Sequence, residues 1–461
     1  MSVLIKNGRI ITASEDYVAD IIIEGEKITA IGKGLPQKAD HIIDAQDKLI
    51  FPGGIDPHVH LDLPVMGIRS SDNFETGTRA AIFGGTTTII DFANQQKGGT
   101  LYSALETWQK KATGNAYCDY SFHVSVTDFT KNTKAEMKSF IEQEGITSFK
   151  TFMAYKDTLM IDDATMKAVM EEVKKYGGMV TVHATDGNKI ESLVEKFRVQ
   201  NNLSPLYHYL SQPDYSESEA TGRFIDMAIE TGVNAYVVHM TCAKALEKIK
   251  LANQNNHRIL AETCPQYLLL DADLYKKGDE SVKWILSPPL RTKEDRESLW
   301  TGIQDGYIQT VGTDHCPFMM EDKLKNKEDF TSVPNGIPGI EHRMELLFSE
   351  GVLKERISLN KFVEVTSTNA AKIFGLYPQK GDIKVGSDAD IVIFDPAEKH
   401  IISAKTHHHH CDYSAYEGWE VTGKVKSVLL RGEVVLQENE IQIEKGYGRF
   451  LKRAVSDLGK T

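Results

Sequence analysis

The sequence predicts an α/β protein, a (β/α)8 TIM-like barrel joined to a small β-sandwich domain formed by both chain ends. Three observations predict this architecture. Apolar runs of strand length alternate with helical stretches through the middle of the chain. Short strands separated by turn residues occupy the two ends. Polar side chains follow the predicted central strands, at the strand ends where a barrel assembles its active site.

The first fifty residues have the pattern of β-hairpins. The runs VLIKNGRIIT, ADIIIEGEKITAIG and HIIDAQDKLIF are punctuated by Asn7-Gly8 and Glu24-Gly25, which are typical turn pairs. A similar pattern returns near the other end, at 386–396 and 421–436. We therefore expect residues 1–50 and 375–440 to form one discontinuous β-sandwich domain.

The middle of the chain, residues 51–374, is predicted to form the barrel. Its candidate strands are 55–61, 86–93, 120–126, 148–154, 179–184, 235–241, 258–264 and 308–313. Helical stretches such as 134–144, 163–176 and 243–252 lie between them. Strands alternating with helices imply parallel βαβ units, and eight such units close a barrel. A doubly wound open sheet is the alternative that this pattern alone leaves open.

Composition excludes several classes of function. The chain has 461 residues, with 53 basic and 65 acidic side chains and a net charge of −12, which argues against nucleic-acid binding. No apolar run approaches the roughly 18 residues of a membrane span, and the first residues do not resemble a signal peptide. Five scattered cysteines without a CxxC pair predict reduced thiols and a cytoplasmic location.

Five polar residues at strand ends are candidate metal ligands. His58 and His60 alternate along one strand, so both imidazoles project to the same face. His183, His239 and Asp314 each follow another predicted strand. Any one of them alone is explained by packing or by helix capping. Together they form the imidazole and carboxylate set that zinc and neighbouring metals prefer.

Lys150 is the least expected of the strand residues. It lies within the predicted strand 148–154, where a buried ammonium is costly. One interpretation is that it pairs with an acidic partner or extends to the rim. The other is that burial and nearby positive charge lower its pKa, so that the neutral amine adds carbon dioxide and becomes an anionic carbamate ligand.

The motifs of this chain resemble those of the amidohydrolase superfamily, specifically its dihydropyrimidinase and D-hydantoinase branch. The resemblance covers nearly the whole chain. The matching segments are FPGGIDPHVHLD at 51–62, FGGTTTIIDF at 83–92, 145–156 around Lys150, EATGR at 219–223, YVVHMTCA at 236–243, ETCPQYL at 262–268, SPPLR at 287–291, GTDHCPF at 312–318, PNGIPGIE at 334–341 and THHHHCDYSAYEG at 406–418.

The resemblance implies a binuclear metal site. By position, His58 and His60 match the ligands of one cation, and His183 and His239 those of the other. It further implies that Lys150, carboxylated on N6, bridges two divalent cations, expected to be Zn²⁺, and that Asp314 binds metal and serves as general acid and base. Tyr155 matches a catalytic tyrosine that donates to the developing oxyanion and also contacts substrate. Ser287 and Asn335 match positions that bind the cyclic amide.

The resemblance also implies the reaction and the partners. We expect a small cyclic diamide substrate, a 5,6-dihydropyrimidine or a 5-substituted hydantoin, opened to an N-carbamoyl amino acid. No nucleic-acid or membrane partner is expected. The assembly is expected to be a homotetramer or homodimer, and the tail 441–461 is the candidate for contact with another subunit, because C-terminal segments of the family often reach across subunits. Two alternatives are an allantoinase or dihydroorotase-like hydrolase, and a non-catalytic scaffold, which would have lost the ligand residues.

Two departures from the family pattern leave substrate preference and the effect on the metal open. Thr185-Asp186 stands where relatives commonly have Glu-Asn, and the loop 63–73 differs from the usual form.

Two features that resemble functional sites are not expected to be functional. The run His407–His410 is internal, and the family already has a histidine pair there, so we do not expect it to bind metal. Cys316 is not expected to be a nucleophile.

Overall fold

The computed structural model describes residues 2–36 and 38–456. Its strands are β1 Ser2–Ile11, β2 Asp16–Glu24, β3 Lys27–Gly32, β4 His41–Asp44, β5 Leu49–Pro52, β6 Gly54–Val59, β7 Pro64–Val65, β8 Ile68–Arg69, β9 Thr86–Asn94, β10 Asp119–Ser125, β11 Ser148–Phe152, β12 Met179–His183, β13 Asn234–Val237, β14 Ile259–Thr263, β15 Thr310–Val311, β16 Ile391–Ile401, β17 Glu420–Leu430, β18 Glu433–Gln437 and β19 Glu440–Ile441.

The helices connect these strands. They are α1 Phe74–Phe83, α2 Leu101–Ala112, α3 Lys131–Ser139, α4 Asp163–Lys175, α5 Gly187–Val199, α6 Pro205–Ser211, α7 Asp214–Thr231, α8 Ala243–Gln254, α9 Pro265–Leu269, α10 Lys293–Gln304, α11 Met320–Leu324, α12 Arg343–Leu347, α13 Leu359–Val363 and α14 Asn369–Ile373. Short 3₁₀ segments cover Ala272–Lys276, Gly278–Trp284 and Phe330–Ser332, and π-helical turns cover Phe140–Glu144, Phe348–Val352 and Glu364–Thr368.

Eight parallel strands form the predicted barrel. The hydrogen-bonded order is β15-β14-β13-β12-β11-β10-β9-β6, and each strand falls on one of the eight predicted runs. The ring closes between β6 and the residues after β15, where Asp314 N–H donates to the His58 carbonyl at 2.8 Å and His60 N–H to that of His315 at 2.9 Å. The (β/α)8 prediction is confirmed, and closure brings residues 58 and 314 into contact.

Both chain ends contribute to a second sheet of nine strands. Its order is β19-β18-β17-β16-β5-β1-β2-β3, with β4 added on β1. The sheet folds over its own apolar core. This brings Gly432, in the turn between β17 and β18, directly against the backbone of Gly25, in the turn after β2. A Cβ at residue 432 would lie 2.1 Å from the Gly25 carbonyl oxygen, which explains the glycine there. The domain limits at 50 and 375 remain predictions.

The tail beyond residue 440 packs on its own barrel. Near the amino end of β10, Tyr120 N–H donates to the Arg449 carbonyl at 3.0 Å, and Leu451 N–H donates to the Tyr120 carbonyl at 2.7 Å. The buried Arg453 guanidinium donates to the Phe122 carbonyl at 2.6 Å. This anchoring is at the end of the barrel opposite the strand termini that carry the polar side chains. Contact with another subunit remains a prediction, and residues 457–461 of the predicted tail lie outside the described part.

Within the described residues, no helix combines the length and the apolar character needed to cross a lipid bilayer. All five cysteines are free and buried.

A buried cation joins the two sheets and yields a stability prediction. Lys380 Nζ lies 2.6 Å from Asp390 Oδ2 and 2.9 Å from Asp119 Oδ2, the latter at the start of β10. Burial disfavours the ammonium, but these two carboxylates outweigh it and raise the pKa of Lys380. Lys380→Met should lower the free energy of unfolding by about 3–5 kcal/mol, because the buried Asp390 loses its ion-pair partner and Asp119 keeps, among the described residues, a counter-ion only in Arg431. Urea unfolding measures the loss, and the exposed Lys384→Met, which should leave stability unchanged, is the control. An equally stable Lys380→Met protein would contradict this role.

Candidate active site

The predicted site residues converge on one cavity at the carboxyl ends of the barrel strands. The cavity has a volume of about 590 Å³. All nine residues singled out from the sequence line it, namely His58, His60, Lys150, Tyr155, His183, His239, Ser287, Asp314 and Asn335. They come from strands β6, β11 and β12 and from the loops that follow the strands, as expected for a barrel enzyme. The structure therefore brings all nine residues together.

One group of potential ligands is formed by His58, His60 and Asp314. The Oδ1 atom of Asp314 lies 3.2 Å from His58 Nε2 and 3.1 Å from His60 Nε2. Asp314 has a φ of 52°, so the backbone leaves the extended conformation where this carboxylate reaches the histidines. Burial opposes ionisation of Asp314, but the two imidazoles outweigh it and hold the pKa of that carboxyl well below its ordinary value.

A second group of potential ligands is formed by His183 and His239. Nδ1 of His183 lies 2.8 Å from Nε2 of His239, and both rings are buried. Burial, together with other positive groups around the cavity, lowers the pKa of His183 to about 3 and that of His239 well below its ordinary value. Both imidazoles are therefore neutral, the form that binds metal ions.

These donors fit a divalent cation of the zinc class. Donor atoms of His58, His239 and Asp314 all lie within 4.8 Å of one another. Nε2 of His58 is buried and makes no hydrogen bond, since its 3.2 Å contact with Asp314 does not have hydrogen-bond geometry, and Nδ1 of His60 is buried without a hydrogen-bond partner. Burying a polar atom without a partner costs free energy of folding. A cation bound between the imidazoles would give Nε2 of His58 a partner. Imidazole nitrogen and carboxylate oxygen are also the ligands that zinc prefers.

Lys150 lies in β11 beside this group and is 1% exposed. Its Nζ faces two aromatic rings, 4.8 Å from the Phe92 centroid and 5.3 Å from that of Phe152. Among the described residues, no carboxylate lies within ion-pair distance of Nζ. Burial lowers the pKa of Lys150 to about 7, a shift that Asp314 and Glu262 oppose only in part. A substantial fraction of neutral amine at neutral pH follows.

Glu262, at the end of β14, is a functional candidate to which the sequence analysis gave no role. Its Oε1 lies 2.6 Å from His58 Nδ1 and accepts the His239 backbone N–H at 3.2 Å. Its Oε2 accepts the Tyr236 hydroxyl at 2.9 Å. This carboxylate fixes the ring of one candidate ligand and the backbone of another. The signal in the sequence was its position at a strand end, like that of the candidate ligands.

Replacing this carboxylate should weaken metal binding. In Glu262→Gln the negative charge behind His58 is lost, which reduces the basicity of Nε2, so we expect metal affinity to fall by about 10–100-fold. Equilibrium dialysis against a zinc chelator measures the change. Glu219→Gln removes a carboxylate from an exposed ion pair with Lys189 and serves as the control. An unchanged metal affinity in Glu262→Gln would show that the charge of this carboxylate does not contribute to metal binding.

The substrate side of the cavity carries three of the predicted residues. Tyr155 packs its ring 4.9 Å from that of His183, and the Ser287 hydroxyl donates to Oε1 of Gln212 at 3.0 Å. Burial raises the pKa of Tyr155, so its hydroxyl remains a donor at neutral pH. Oδ1 of Asn335 is buried without a partner, which leaves an amide acceptor free at the cavity wall.

Loops form the outer wall of the cavity. The segments 63–66, 94–97 and 157–159 line it, and the first of them belongs to the loop 63–73 that departs from the family pattern. The first segment includes Met66, which is 58% exposed. Apolar side chains such as Leu63, Val65 and Leu159 accompany it. An apolar substituent on a bound ring would contact this wall.

The two residues that depart from the family pattern have defined local contacts. Thr185 Oγ1 lies 2.9 Å from Nε2 of His183 and so orients that ring. Asp186 caps helix α5 by accepting Lys189 N–H at 3.1 Å, and its other oxygen accepts from Arg223 at 2.8 Å. The Thr185 hydroxyl therefore contacts Nε2 of His183, at a position where the family pattern has a glutamate carboxylate.

Comparison with known proteins shows similarity along the whole chain. The model of the amidohydrolase family matches residues 49–435. The D-hydantoinase of Geobacillus stearothermophilus is 48% identical over 456 residues, covering 98% of this chain and 97% of the relative. The dihydropyrimidinase of Rattus norvegicus is 40% identical over 458 residues, covering 98% and 88%. The crystal structure of dihydropyrimidinase from Brevibacillus agri superposes with a TM-score of 0.97 at 48% identity, covering 99% of both chains.

Proposed function

The chain belongs to the amidohydrolase family, and from that premise we propose that it opens 5-substituted hydantoins and 5,6-dihydropyrimidines to N-carbamoyl amino acids with the aid of two divalent cations. It is a hydrolase of cyclic amides, like the relatives with which it shares 40–48% of its residues over nearly its full length. The observation that carries the proposal is the convergence of six candidate ligands at one cavity of this hydrolase barrel.

The ligands are assigned by position. His58 and His60 bind one cation, His183 and His239 bind the other, and Asp314 completes the set. The cations are Zn²⁺ in this proposal, because imidazole and carboxylate dominate the donors. When bound, they lower the pKa of a water molecule and polarise the amide carbonyl.

Lys150, once carboxylated on its side-chain nitrogen, would be a ligand that the two cations share. Its neutral amine adds to carbon dioxide, forming an N–C bond and releasing one proton, and the resulting carbamate has two oxygens. Burial and the absence of an ion-pair partner among the described residues support this reaction, because both leave the amine free to react. The product is an anion, which suits a position among cations.

Three residues handle the substrate and its proton. Asp314 accepts a proton on its carboxylate as the ring carbonyl is hydrated and delivers it to the departing ring nitrogen. The Tyr155 hydroxyl donates to the carbonyl oxygen, where negative charge develops. Ser287 and Asn335 hold the cyclic amide so that its scissile bond faces Asp314.

The assembly and location proposed are a homotetramer or homodimer in the cytoplasm. The five free cysteines support a reducing compartment.

A substrate panel tests the proposal. Metal-replete protein is incubated with dihydrouracil, a 5-substituted hydantoin, allantoin and dihydroorotate, and the metal content of the same sample is measured. We expect turnover of the first two and formation of the N-carbamoyl product. Turnover of allantoin or dihydroorotate alone would favour those neighbouring activities. No turnover of any substrate by the metal-loaded protein would support the scaffold alternative, although all six candidate ligands are present in the chain.

A further inference from the structure

A second group of imidazoles lies outside the cavity just described. His342, in the loop before helix α12, meets His407 and His409 from the segment between β16 and β17. Donor nitrogens of the three rings all lie within 4.8 Å of one another. We call these three residues the second histidine cluster.

His342 is oriented as a metal ligand. Its Nδ1 lies 2.5 Å from Oε1 of Glu345, while its Nε2 is buried and has no partner. The Glu345 carboxylate is itself held by His400 at 2.9 Å. A carboxylate that fixes one nitrogen and leaves the other free is the usual environment of a metal-binding histidine.

His407 has the same type of support. Its Nε2 lies 2.8 Å from the Cys411 carbonyl oxygen. Since a carbonyl only accepts, the proton is on Nε2, and the lone pair is on Nδ1. That Nδ1 lies 3.2 Å from Nδ1 of His409, inside the cluster.

His409 can join them by a change of tautomer. Its Nε2 accepts the Glu341 backbone N–H at 3.1 Å, so without a cation its proton is on Nδ1 and is donated to His407. Binding through Nδ1 moves that proton to Nε2, with no net gain or loss. The Glu341 carboxylate, whose Oε2 lies 4.0 Å from Nε2, is in place to accept it after a small tilt of the ring.

We propose that the second histidine cluster binds one divalent cation of the zinc class through Nε2 of His342, Nδ1 of His407 and Nδ1 of His409. The nearby carboxylates of Glu341 and Glu345 compensate its charge. These carboxylates lower the free-energy cost of burying a cation, because neutral imidazoles alone would leave its positive charge uncompensated.

The position of this cluster connects it to the cavity residues. The ring of His409 lies 5.1 Å from that of His315, which follows Asp314 directly. His315 also lies 3.1 Å from Asp72, whose other oxygen accepts the His410 backbone N–H at 2.9 Å. A bound cation would therefore fix the segment 407–411 against the loop that carries Asp314. From the sequence alone, His407–His410 is not expected to bind metal, because the run is internal and the family already has a histidine pair there. The structure adds His342, which lies 65 positions earlier in the chain.

Zinc content tests the proposal with a control from the same tract. Wild-type protein and the variants His407→Gln, His409→Gln and His410→Gln are loaded with zinc and dialysed against micromolar free zinc. His410 is exposed and outside the cluster, so its variant should match the wild type. We expect the other two to hold one equivalent per chain less. Equal zinc in all four proteins would overturn the proposal, and the difference does not depend on how many cations the cavity holds.

Anomalous diffraction provides a test that needs no variant. Wild-type crystals equilibrated with zinc at the same free concentration should show a zinc peak among the three nitrogens, separate from any peak at the cavity. Its absence at this position would overturn the proposal even if a variant failed to fold. A peak at the cavity without one here would leave the proposed hydrolase intact and exclude the second site.

Discussion

Replacement of Lys150 by alanine is expected to remove the bound cations and the ring-opening activity together. The substitution deletes the only side chain that is proposed to bridge them. Losing the Lewis-acid contribution of several kcal/mol corresponds to a decrease in kcat/KM of roughly a thousandfold, since each 1.36 kcal/mol is a factor of ten. Metal analysis and hydantoin hydrolysis on the same sample measure both effects.

Two controls separate ligand loss from damage to the barrel. Lys150→Met retains most of the side-chain volume between Phe92 and Phe152, so it should fold like the wild type and still lose the cations. A short carboxylic acid added to Lys150→Ala should restore part of the metal and the activity, because it can supply the two missing oxygens. Full activity and full metal content in Lys150→Ala would refute the bridging role.

The barrel and the gathering of its ligands could be predicted because both follow from local pattern. Parallel strands end at the same edge, so residues that follow them, such as His183 and His239, meet whatever their separation in the chain. The last strand shows the limit of this reasoning. Residues 308–313 were predicted to be extended, but β15 covers Thr310–Val311, and the chain turns through the positive φ of Asp314 to close the ring.

Partners that are remote in the chain could not be predicted. The Glu262 carboxylate meets His58 across 204 positions, and this pairing depends on the register of the closed barrel rather than on any periodicity. His342 likewise joins His407 through loops whose paths no apolar pattern determines. The spacing of residues along the chain therefore does not predict the hydrogen bonds that orient a candidate ligand, and these bonds become apparent only in the folded structure.

Replacement of Asp314 by asparagine should separate proton transfer from metal binding. Asparagine has nearly the same shape and keeps an oxygen near His58 and His60, but it cannot accept the proton. We expect kcat to fall by about 10²–10⁴-fold, the contribution typical of a general acid or base, while most of the metal remains on the other ligands.

Cys316, two residues further on, offers the matched control for this experiment. Its thiol also lines the cavity, but burial raises its pKa, so no thiolate is available as a nucleophile. Cys316→Ser should retain activity within a few-fold, and steady-state hydrolysis with metal analysis compares the two variants directly. If Asp314→Asn were active and Cys316→Ser inactive, the proposed role of Asp314 would be wrong. The proton would then have to be transferred by the Cys316 thiol rather than by the Asp314 carboxylate.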